Sequence, residues 1–100
     1  MSQQYETITL DLEKLYEHWQ PSQKNDNLCK EKIDYYIDQI KKGIQIDPII
    51  IETLVEVDGI IYIRTADGRH RIKASHIQGL KSIKALETPA SKEAKEIFQL

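Results

Sequence analysis

Asp67-Gly68-Arg69-His70-Arg71 concentrates the candidate chemistry of this chain. All three arginines of the 100 residues lie between Arg64 and Arg71, with one of the three histidines among them. A guanidinium offers a planar fork of donors that matches phosphate or carboxylate oxygens. Arg64 closes a strand-like run, Ile60 to Ala66, and Ile72 opens a stretch to Gln78 that reads as helix. The motif therefore falls on a strand-to-helix turn, where free backbone N–H groups and the positive end of a helix dipole face the same space. Gly68 would let backbone approach a ligand closely, Arg71 would grip phosphate oxygens, and His70 would donate from a ring N–H. Arg64 ranks below them, because it alternates with Ile63 and reads equally as the exposed face of a strand. Asp67 is the one carboxylate beside the turn and so the one candidate for base or metal work. A plainer reading stays open: Asp67 as a helix N-cap, the arginines as solvated surface, and His70 bonded to a neighbouring carbonyl.

Composition narrows the partners. A net charge of −2 argues against a protein that coats nucleic acid nonspecifically, so any anion site must be local. Between Arg64 and Lys73 four cationic side chains face only Asp67. The single cysteine, Cys29, allows no internal disulfide and points to a reducing, cytoplasmic setting. His70 and His76 are six apart, about 600° around a helix, so they do not pair as metal ligands, and no metal site is expected. No run of 18 apolar residues is present, and Met1 to Glu6 is polar, so neither a spanning helix nor a secretory signal is expected.

The elements that position the motif follow from periodicity. Tyr5 to Leu12 alternates Ile8, Leu10 and Leu12 and reads as a strand. Gln20 to Asn27 reads as a polar loop ending in a helix cap at Asp26 or Asn27. Cys29, Ile33, Tyr36, Ile37 and Ile40 recur at three- and four-residue intervals, which predicts an amphipathic helix over 28–42 with these residues on its buried stripe and Tyr35 at its edge. Asp58-Gly59 between Ile49–Val57 and Ile60–Ala66 is the signature of a two-residue hairpin. Ser82 to Glu87 gives a last strand. Thr88-Pro89 then caps a terminal helix whose inner face is Ala94, Ile97 and Phe98. His18-Trp19 reads as a loop packed on the sheet. The expectation is one small mixed-sheet α/β (α+β) domain over 1–100, in the order strand, helix, hairpin, helix, strand, helix.

This order, with its Gly-x-His-Arg turn after a hairpin, resembles the ParB/sulfiredoxin superfamily from about Glu6 to Glu87, leaving 88–100 as a terminal helix. Trp19-Gln20-Pro21-Ser22 is similar to the family's segment before the first helix. Ile37-Asp38-Gln39-Ile40-Lys41-Lys42-Gly43, followed by Asp47-Pro48-Ile49-Ile50, is similar to its helix end and Pro-Ile strand. Ala66 to Ala74 is similar to the Asp-Gly-x-His-Arg branch and is the most specific piece. The resemblance implies a nucleotide-phosphate site in which Gly68, Arg69, His70 and Arg71 hold the phosphates of ATP or CTP, with magnesium. Gln20 and Ser22 would form a peripheral second wall, although relatives often carry arginine or threonine there. Arg69 stands where sulfiredoxins have their catalytic cysteine, which argues against sulfinic acid reduction. About 30 residues follow the motif, so the helix-turn-helix by which partition proteins read DNA is not expected within these 100 residues. A stand-alone nucleotide-binding domain in plasmid, phage or chromosomal DNA maintenance is the leading expectation, with DNA or a DNA-maintenance protein as partner. Two alternatives are a small-molecule kinase or nuclease of the same superfamily, and a docking module without nucleotide chemistry.

Overall fold

Alternation of apolar and polar residues sets the first strand, β1 (Thr7–Asp11), with Leu10 buried and Thr7 and Thr9 exposed. The computed structural model describes residues 6–25 and 28–100; Tyr5 and the expected caps Asp26 and Asn27 lie outside them. Two short helices follow where a strand end and a polar loop were expected. Helix α1 (Leu12–His18) starts at Asp11, whose carboxylate accepts from the Lys14 N–H at 3.0 Å. It buries Leu12 and Leu15. Helix α2 (Pro21–Asn25) begins at a proline, whose missing N–H costs nothing at a first helical position. Between them Trp19 is fully buried, and its Nε1 donates to Gln23 Oε1 at 3.0 Å, which agrees with the packed reading of this segment.

Helix α3 (Lys30–Lys41) is shorter than expected, and Cys29 is its N-cap residue. Cys29 is therefore exposed rather than on the buried stripe. Ile33, Tyr36, Ile37 and Ile40 do face inward, but only half-buried, while Tyr35 is 59% exposed. The hairpin pairs β2 (Ile50–Val57) with antiparallel β3 (Ile60–Asp67). Its turn has Asp58 at φ 53° and Gly59 at φ 81°, the two positive angles that a tight primed turn requires. Helix α4 (Arg69–Ile77) starts inside the motif, three residues earlier than the expected Ile72. Strand β4 (Ser82–Leu86) pairs antiparallel with β1. Helix α5 (Pro89–Phe98) closes with a capping box between Thr88 and Ser91. Ala94 and Phe98 pack inward as expected, but Ile97 is 47% exposed.

The sheet is thus two antiparallel pairs, β1-β4 and β2-β3, and parallel bridges join other parts of the chain to them. Trp19 bridges to Ile63, and Ile49 bridges to Ala85. Ile49 is fully buried, its N–H donates to Lys84 O and its carbonyl accepts from Leu86 N, so β4 holds the approach to β2. Leu10, Leu15, Trp19, Ile49, Ile63 and Ile72 meet in one core beneath α4.

Candidate functional site

Gly68 is the pivot of the strand-to-helix turn. Its φ of 110° lies in a region that L side chains avoid. A Cβ built there would also stand 2.5 Å from Ile49 Cγ2. The need for glycine is thus met by the core beneath it as well as by the turn. Gly68 serves as the N-cap of α4 without a side chain to offer, and among the described residues no hydrogen bond from the α4 amides to Asp67 is found. Asp67 instead pairs through Oδ2 with Arg71 Nη2 at 2.7 Å.

Arg71 is 6% exposed, an uncommon depth for a cation. Its Nη1 donates to the carbonyls of Asp47 and Pro48 at 3.1 and 3.0 Å, so its fork pins the loop that enters β2. Tyr36 covers it, with the guanidinium carbon 5.9 Å from the ring centre. His70 Nε2 accepts the backbone N–H of Cys29 at 3.0 Å, which leaves the ring proton on Nδ1. Burial, with smaller contributions from the Lys32 and Arg69 charges, holds His70 below the usual histidine range. The bond ties the first turn of α4 to the N-cap of α3.

The N-termini of α3 and α4 consequently open onto one recess of about 390 Å³, lined by Cys29, Lys32, Tyr36, Gly68, His70 and Arg71, with Glu31, Tyr35 and Asp67 completing it. Neither N-cap residue supplies a side-chain hydrogen bond to its helix. Each helix terminus concentrates a partial positive charge, and Lys32 and Arg71 add full ones, which the carboxylates of Glu31 and Asp67 offset in part. Lys32 was not among the residues expected from the sequence. Cys29, Lys32 and Tyr36 are three and four apart and so share a helical face, a signal that spacing alone carries.

The arginine cluster does not act as one unit. Arg69 lines a different recess, of about 600 Å³, together with Ser22, Gln23, Glu52, Arg64, Thr65 and Ala66. Arg64 Nε donates to Glu52 at 3.1 Å and its Nη1 donates to Gln20 Oε1 at 3.2 Å. Gln20, Ser22, Arg64 and Arg69 thus gather on one side of the turn, and His70 and Arg71 on the other.

This architecture is a ParB/sulfiredoxin-like fold. A crystal structure of sulfiredoxin from Arabidopsis thaliana superposes with a TM-score of 0.57 at 24% identity, covering 95% of this chain and 98% of that one. A Pnob8-like ParB-N domain superposes with the same TM-score at 18% identity, covering 96% of this chain and 36% of that one. No family model and no curated protein sequence matches the chain.

Proposed function

We propose that the recess between α3 and α4 binds the phosphates of a nucleotide, and that the chain acts as a small nucleotide-binding domain. The observation that carries this reading is the convergence of two uncapped helix N-termini, Lys32 and Arg71 on one recess. Phosphate oxygens would accept from the His70 amide at the start of α4. Lys32 would neutralise charge from the α3 side, and the exposed ring of Tyr35 at the rim offers a face to a base. ATP or CTP with magnesium is the ligand expected from the fold. A cytoplasmic accessory role in DNA maintenance, with DNA or a DNA-maintenance protein as partner, extends the reading by analogy with the ParB-N domain. A catalytic role for Asp67 is disfavoured, because Arg71 engages it.

Lys32 is exposed, and no described hydrogen bond or ion pair depends on it, so it is the cleanest probe. Loss of one charge-assisted phosphate contact costs about 1.5–3 kcal/mol, so Lys32→Ala should weaken binding about 10- to 100-fold with the fold intact. Calorimetry with ATP, ADP, CTP and GTP, with and without magnesium, measures this. No heat at millimolar nucleotide would end the proposal.

A further inference from the structure

The second recess is built from groups whose arrangement the nucleotide reading does not use. Its floor is Gln23, only 8% exposed, whose Oε1 accepts from Trp19 Nε1, from Thr65 N at 2.8 Å and from Thr65 Oγ1 at 3.1 Å. Its Nε2 donates to Thr65 O at 2.9 Å. A buried amide bonded at both its oxygen and its nitrogen fixes its surroundings in one arrangement. Here it locks α2 onto β3, and so holds Ser22 and Arg64 in a constant relation. The wall is Arg64, steadied at Nε by Glu52 and at Nη1 by Gln20. Among the described residues nothing takes its Nη2 donors. The hydroxyl of Ser22 is exposed at the rim, and Arg69 lines the same space.

We infer that this recess is a second anion site, which takes a small molecule bearing a carboxylate or phosphate group beside a hydrogen-bonding group. Arg64 Nη2 and the Ser22 hydroxyl supply donors to the anionic group. Glu52, half exposed next to Arg64, accepts from a donor on the same ligand and repels one that is anionic throughout. The two recesses share no lining residue and adjoin where Gly68 meets Arg69, so a ligand here would sit beside a bound phosphate without competing for its contacts.

Amide chemical shifts of the whole protein, titrated with glycerol phosphate and separately with lactate, each an anionic group beside a hydroxyl donor, test this. Movement of Ser22, Arg64 and Thr65 amides with either anion is expected, and the stronger of the two identifies the group that the site prefers. Arg64→Ala should weaken that response about 10-fold or more, and Ser22→Ala by a smaller factor, while Lys32→Ala leaves it unchanged. Arg64→Lys, which keeps the charge but loses the fork, should recover only part. Failure of those amides to move at tens of millimolar of both anions would overturn the inference, as would an Arg64→Ala response equal to wild type. The nucleotide proposal is judged separately, by Lys32→Ala calorimetry.

Discussion

Truncating Arg71 to alanine separates its architectural role from a ligand role. The side chain is nearly sealed, and its Nη1 is the donor for two carbonyls, those of Asp47 and Pro48. A hydrogen bond to a charged group contributes about 1.5–3 kcal/mol, which gives about 3–6 kcal/mol for the pair. The adjoining recess would admit water to the vacated position and resolvate both carbonyls in part, so the lower end, about 3 kcal/mol, is expected. The Asp67 contact adds little, because that carboxylate is 67% exposed and screened by solvent. At about 4–8 °C per kcal/mol for a domain of this size, Tm should fall by roughly 12–24 °C. Asp67→Asn, which removes only the ion pair, should cost about 1 kcal/mol or less. Thermal and urea unfolding of both variants without nucleotide provide the comparison. An Arg71→Ala loss no greater than that of Asp67→Asn would refute the assignment of Arg71 as the clamp on the Asp47-Pro48 loop. It also follows that weakened nucleotide binding in Arg71→Ala would not by itself identify a phosphate contact.

Gly68→Ala should destabilise by about 3 kcal/mol, from a positive φ together with overlap on Ile49, and Tm without ligand measures it. His70 makes stability pH-dependent in a stated direction. Its folded pKa lies below the unfolded value of about 6.5, so the unfolded chain takes up the proton more readily. The stabilisation is complete above about pH 6.5 and is lost as pH falls through the window beneath it. Protonation also places a hydrogen on Nε2 and removes the acceptor for the Cys29 N–H. A His70→Gln variant should show a shallower fall in Tm between about pH 7 and 5 than wild type. Equal slopes would remove His70 as the cause.

Features fixed by local backbone chemistry were legible in the sequence. Asp58-Gly59 takes positive φ at both positions, and Thr88-Pro89 completes a cap, because neither depends on distant partners. The strand-glycine-helix geometry of the motif was legible for the same reason. Helices α1 and α2 were missed because they are seven and five residues long, too short for a periodic pattern to stand out. Leu12, Leu15, Tyr16 and Trp19 do carry helical spacing, but the strand alternation runs straight into them. Gln23 gave no signal at all, since its burial depends on Thr65, 42 residues away. The start of α3 lies two residues later than expected, which makes Cys29 its cap, because a helix start is set by capping whereas the apolar stripe continues through it. The division of the arginines followed from side-chain partners: Glu52 and Gln20 draw Arg64 one way, and the Asp47 and Pro48 carbonyls draw Arg71 the other.

The bridge between Ile49 and β4 sets an order of assembly. Ile49 is the surface on which Gly68 rests, yet it is fastened by Lys84 and Leu86, which a ribosome delivers well after the motif itself. A nascent chain that has just exposed Arg71 carries every residue of the basic turn but lacks the strand that holds its floor. The finished shape of that turn therefore arrives with β4, the strand that fastens Ile49 beneath Gly68.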